Sequence, residues 1–233
     1  MAIDVDLLAA AARSGTGFLR LYRFDPPCLS FGRHEPARKR YDRDAITRLG
    51  IDVVRRPTGG RAVWHEQELT YAVAAPIGAW GSLRDSCHAI HAQLVVALRA
   101  LGAPATLAAA RDSVPSIGAG ACFATPAEGE VLVAGRKLVG SAQLRWGGAF
   151  LQHGSILLGG TQELVARVTR APAPRSQETT LSAVLGRPVS FEEVLGAVLA
   201  AFDCVAPAQL APGGAGASHS AVPFSDAAWT WRR

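Results

Sequence analysis

The spacing of strand-like segments constrains this chain most. Ile51–Arg56 and Arg61–His65 flank a Thr58-Gly59-Gly60 turn, and Leu69–Ala75 follows at once. A second group, Glu130–Val133, Leu138–Leu144 and Ala149–Leu158, the last a strand pair or one long bent strand, comes after a single long amphipathic segment, Leu83–Leu101. Strands gathered in hairpins, with helices between the groups, predict an α+β fold, not the alternation of a parallel βαβ protein. The sheet should be mixed and mostly antiparallel, with flanking helices. Further helices are expected over Val5–Arg13, over Asp42–Leu49 closed by Gly50, and over Phe191–Phe202, where Ser190 and Glu193 suggest a capping box. Short strands are expected at Phe18–Arg23, Cys28–Phe31 and Thr106–Ala109. Ser113–Ala121 carries little regular-structure signal.

The chain has 233 residues, 49% hydrophobic and 18% charged, which is enough apolar material for a core. We expect one domain over 1–233, with 211–233 as a mobile tail because Ala211–Ser220 is rich in Gly, Ala and Ser. No apolar run is long enough to span a bilayer, and the start carries Asp4 and Asp6 without a basic segment. A cytoplasmic protein without a membrane partner is expected. The net charge of +5 comes mostly from arginine, with no basic block interleaved with aromatics, so nucleic acid is not an expected partner. Four cysteines, Cys28, Cys87, Cys122 and Cys204, lack CxxC spacing, which argues against a zinc site or a redox dithiol.

Three segments could carry chemistry. Arg55-Arg56-Pro57-Thr58-Gly59-Gly60-Arg61-Ala62-Val63-Trp64-His65 sets three arginines beside two glycines that let backbone approach a ligand. On residues alone, a hairpin turn with solvated arginines is the favoured reading. Gly135-Arg136-Lys137-Leu138-Val139-Gly140-Ser141-Ala142 places a lysine before three small residues against which a ligand could lie. Leu151-Gln152-His153-Gly154-Ser155 holds a histidine that reads either as a satisfied core group or as part of a site.

In this order and spacing, RRPTGGRAVWHEQELTYAV, GRKLVGSAQLR and LQHGSILL resemble the catalytic domain shared by lipoate–protein ligases, biotin–protein ligases and octanoyltransferases. The resemblance runs from about Leu7 to Leu158. Within the family, Ala121-Cys122-Phe123 ahead of the lysine motif is most similar to the ligase-like octanoyltransferases. That likeness implies octanoyl transfer from acyl carrier protein, through a thioester on Cys122, to a lysine of a lipoyl-bearing protein such as the glycine-cleavage H protein or a dehydrogenase E2. Lys137 is then the electrostatic partner of Cys122, since a nearby ammonium stabilises a thiolate. Arg55, Arg56, Gly59, Gly60, Arg61, His65, Gly140, Ser141, Ala142, His153 and Gly154 are the implied acyl- and substrate-binding residues. The Gly59-Gly60 turn and Gly140–Ala142 should wall one narrow apolar slot, with His153 near its polar mouth. No cofactor or metal is implied. The alternatives are an ATP-dependent lipoate ligase and a relay of octanoyl between lipoyl domains. Arg61, where ligases carry a third glycine, and the lack of an asparagine–aspartate pair before Lys137 argue for the transferase.

Overall fold

A computed structural model of the chain describes residues 1–109, 128–171, 177–203 and 224–233. Its helices are α1 (Ala2–Ser14), α2 (Ala37–Arg40), α3 (Arg43–Arg48), α4 (Leu83–Ala100), α5 (Glu163–Arg167), α6 (Leu181–Leu185), α7 (Phe191–Asp203) and α8 (Ala227–Thr230). Its strands are β1 (Phe18–Tyr22), β2 (Cys28–Phe31), β3 (Asp52–Arg55), β4 (Val63–His65), β5 (Glu68–Pro76), β6 (Thr106–Leu107), β7 (Val131–Val133), β8 (Arg136–Lys137), β9 (Val139–Trp146) and β10 (Ala149–Leu157). The expected α+β architecture is the one observed.

A four-stranded antiparallel sheet, β1-β5-β10-β9, organises the molecule. β5 is buried on both faces, and its alternation decides what covers each. Leu69, Tyr71, Val73 and Ala75 join a core with Ile90, Leu94 and Leu98 of α4 and Val194 and Val198 of α7. Ala72 and Ala74 instead meet Leu8 and Ala11 of α1. These small residues let a helix lie close to the sheet. α1 stops where Gly15 turns left-handed at φ 70° and returns its N–H to Ala11. α4 starts at a full capping box between Ser82 and Asp85. The box expected at Ser190 is half made: Ser190 Oγ accepts from the Glu193 N–H, while the Glu193 carboxylate pairs with Arg187.

A second sheet, β3-β2-β4, differs from expectation. Arg61–His65 was expected to return beside Ile51–Arg56 as a hairpin. Instead β2 lies between the two, parallel to β3 and antiparallel to β4. The Thr58–Gly60 turn therefore carries the chain past the end of β2. Arg136 and Lys137, expected in the loop between two strands, form β8. They pair with β7 through a two-residue turn at Ala134 (φ 48°) and Gly135 (φ 74°), the left-handed pair that a tight hairpin requires. Ala149–Leu157 is one strand. Residues 224–233, counted with the tail from sequence, pack on the second sheet: Trp231 joins Phe31 and Tyr41 in a cluster, and the Arg55 Nε–H donates to the Thr230 carbonyl at 2.9 Å. Ser113–Ala121, Cys122, Cys204 and Ala211–Ser220 lie outside the described residues.

Candidate active site

The α1-facing side of the main sheet and the second sheet enclose a cleft of about 370 Å³, part of it open to solvent. Of the residues expected at the site, Gly140, Ser141, Ala142, His153 and Gly154 contribute its floor, and Arg56 and His65 its roof. The register explains the floor. Gly140 lies opposite Ser155, Ser155 opposite Thr70, and Thr70 opposite Tyr22, one residue from each of the four strands. Gly154 must be glycine, since a Cβ there would come within 2.4 Å of the Gly140 carbonyl and 2.8 Å of the Tyr71 ring.

The polar groups around this cleft pair mainly with one another. His65 Nδ1 lies 2.7 Å from Glu68 Oε1 and Nε2 2.7 Å from Ser30 Oγ. A carboxylate can only accept, so Nδ1 carries the proton and the Ser30 hydroxyl donates to Nε2. The Thr70 hydroxyl donates to the same carboxylate. His153 repeats the pattern, with Nδ1 3.4 Å from Asp4 Oδ2 and Nε2 2.6 Å from Thr58 Oγ1. Burial pulls the His153 pKa below the ordinary histidine value, against the opposing hydrogen bond and charge of Asp4. Burial pushes the Asp4 carboxyl up, but the hydrogen bond from His153, the N-terminal ammonium and, last, the Arg20 guanidinium 2.6 Å away outweigh it and hold the Asp4 pKa below the usual carboxylate value. With most of these hydrogen bonds made inside the wall, and only Glu68 Oε2 among these groups left without a partner, the cleft can pass an alkyl chain at little cost in lost polar contacts.

The arginines are placed differently from expectation. Arg56 lines the cleft, but its guanidinium donates to the carbonyls of Ser30, Gly59 and Arg61 and to Ser30 Oγ. Arg55 is fully buried away from the cleft and holds the carbonyls of Gly32, Arg33, Glu35 and Thr230. Arg61 lies 3.9 Å from Glu35. Gly59, Gly60 and Arg61 are not among the residues lining the cleft. Gly60 instead abuts Gly32, where a Cβ would sit 1.9 Å from the Gly60 carbonyl oxygen. The Arg-Arg-Pro-Thr-Gly-Gly segment thus builds the roof, and its charges serve backbone carbonyls. Lys137 is 2% exposed and donates to Glu130 Oε1 at 2.5 Å, so a solvated hairpin lysine is excluded. It also lies outside the cleft lining. Cys122 lies outside the described residues.

Sequence reasoning missed Asp4, Tyr22, Phe24, Ser30, Val63, Thr70 and Ser155. Thr70 and Ser155 left a signal, because each is a polar residue on the face that the strand alternation turns towards a site. Asp4 near the start of an apolar helix was another. Nothing local marked Ser30 or Phe24. Among the described residues, no group of three His, Cys, Asp or Glu side chains could hold a metal ion, and no helix is long and apolar enough to cross a membrane.

Residues 1–203 match the family model described as the lipoyl protein ligase A/B catalytic domain. An octanoyltransferase LipM of Kyrpidia tusciae is 40% identical, the match covering 91% of this chain and 84% of that protein. An octanoyltransferase LipM of Moorella thermoacetica is 38% identical, over 84% of this chain and 74% of its own. A crystal structure of lipoate-protein ligase A bound with ATP superposes with a TM-score of 0.71 at 23% identity, over 87% of this chain and 77% of the ligase. At that identity the likeness concerns the fold.

Proposed function

Because the chain belongs to the lipoyl protein ligase A/B catalytic domain family, we propose that it is an octanoyltransferase of lipoate biosynthesis, carrying octanoyl from acyl carrier protein to a lysine of a lipoyl-bearing protein. The observation that carries this reading is the narrow cleft whose floor crosses the sheet at Gly140 and whose polar side chains are largely paired within the wall. Such a cleft suits an unbranched alkyl chain. The likeness to octanoyltransferases over most of the chain supports the choice of acyl group.

The transfer runs in two halves. The Cys122 sulfur attacks the carbonyl carbon of the donor thioester, and the carrier's thiol leaves. The ε-amine of the acceptor lysine then attacks the Cys122 thioester, forming the amide as the Cys122 thiolate leaves and the amine loses its proton. Exchange between thioesters is nearly neutral in energy and amide formation drives the second half, so ATP is not required. Lys137 is the cation that stabilises the thiolate and the carbonyl oxygen as charge develops, with Glu130 fixing its position.

The test is intact-mass spectrometry of the protein mixed with octanoyl-acyl carrier protein and no ATP. One octanoyl group should add to the wild type and none to Cys122→Ser. It should then move to an added lipoyl domain. Transfer that needs ATP, or that Cys122→Ser sustains, would favour the adenylate route of a ligase.

A further inference from the structure

We propose that Phe24 sets the length of the acyl chain the cleft accepts; this rests on the acyl-transfer reading and names what the far end of that site selects. The floor runs across the strands, not along them. From Gly140 through Ser155 and Thr70 to Tyr22 it covers three strand spacings, about 14 Å at ~4.8 Å each. An extended eight-carbon acyl chain spans on the order of 10 Å, so such a chain laid along the floor uses most of it.

The two ends differ in kind. The β9 end begins at Gly140, three residues after Lys137, and its floor is glycine, serine and alanine. The β1 end is closed by aromatic rings. Tyr22 is fixed, with its hydroxyl donating to Asp4 at 2.9 Å and the Arg20 guanidinium 3.8 Å over its ring. Phe24, two residues on, lines the cleft and stacks on the His65 ring with centroids 4.2 Å apart. It is half-buried, carries no polar atom and packs between the rings of His65 and Tyr22, so towards the cleft its side chain offers only apolar bulk. A chain entering with its carbonyl at the Lys137 end and its methyl end towards β1 runs up against this ring. Removing the ring extends the trough by a few methylene lengths, and a larger ring shortens it. Each buried methylene changes binding by roughly fourfold, so two added methylenes change the preference by about fifteenfold.

The experiment measures transfer from hexanoyl-, octanoyl-, decanoyl- and dodecanoyl-acyl carrier protein to a lipoyl domain by wild type, Phe24→Ala, Phe24→Leu and Phe24→Trp. Wild type should peak at octanoyl. Phe24→Ala should raise decanoyl kcat/KM about fifteenfold relative to octanoyl, with Phe24→Leu in between, and Phe24→Trp should move the peak towards hexanoyl. Phe24→Leu keeps the comparison open should the alanine variant fold poorly, because a structural role alone would lower every chain length together. Transfer by all variants with an unmoved octanoyl peak overturns the proposal and leaves the acyl-transfer reading standing. Absence of transfer by wild type at every length removes that reading and this proposal with it.

Discussion

His91 shows how one buried side chain ties stability to pH. It sits in α4 with Nδ1 2.7 Å from the Gly129 carbonyl and Nε2 2.8 Å from Ser141 Oγ. The carbonyl can only accept, so Nδ1 carries the proton and Nε2 is bare. Burial, and then the charges of Lys137 and His88, bring its pKa down to about 4, against a hydrogen bond to Gly129 that works the other way. The unfolded chain takes up that proton near 6.5 and the folded one only near 4. The unfolded state therefore binds more protons between those values, and the native state loses stability as pH falls through that window. Melting temperatures measured from pH 7 to pH 4 should decline, and His91→Gln should flatten the decline. His153, also lowered by burial, keeps part of the slope in the variant. An unchanged slope would mean that His91 is charged in the folded protein.

Among the elements, the meeting of β2 with the Thr58–Gly60 turn controls the roof of the cleft. Gly32 follows β2, and any Cβ there would collide with the Gly60 carbonyl carbon at 2.7 Å as well as with its oxygen. Both partners are backbone, so neither can swing aside. Gly32→Ala should displace the turn, and with it Arg56 and Thr58, the partner of His153. We expect a loss of several kcal/mol, comparable to severe overpacking, and loss of octanoyl transfer, read by urea denaturation and by the mass assay. Near-wild-type behaviour would show that the turn is free to move. This contact also marks where sequence reading stopped. The Gly59-Gly60 pair announced a tight turn correctly, but period and turn chemistry say nothing about which strand a strand pairs with. β2 took both neighbours, and the supposed hairpin became a passage over its end. By contrast, α1, α4 and β5 were legible because each carries an apolar pattern long enough to be unambiguous, while Ala149–Leu158 read from sequence either as a strand pair or as the single strand that β10 is. At the site, His65, His153 and the Gly140–Ala142 wall were legible from motif order. Ser30 and Phe24 were not, since each acquires its role from His65, at least 35 residues away in sequence.

Over the whole molecule, the second sheet depends on residues 224–233. Trp231 packs edge-on against Phe31 with centroids 5.3 Å apart, beneath the Arg43 guanidinium. Trp231→Ala should cost about 3–5 kcal/mol, the usual loss for a buried large aromatic, measured by chemical denaturation. It should also weaken octanoyl transfer, because the sheet it supports carries Ser30 and His65. A cost below about 1 kcal/mol would mean that the segment rests on the surface. No local pattern in the sequence announced this packing, because tryptophans after a Gly- and Ala-rich stretch read as a tail until their partners are known.

The long reach of Arg55 has a consequence for how the protein comes into being. Its guanidinium holds carbonyls of residues 32–35, some 20 positions earlier, and one 175 positions later. During synthesis, β2 and β3 emerge early and the main sheet can assemble once β10 is out, but Arg55 must wait for Thr230. The strands of both sheets are thus all made before the contact between Arg55 and Thr230 can form. Closing a loop that long is slow for entropic reasons. The last step in making the site is therefore the docking of a segment that does not itself line the cleft.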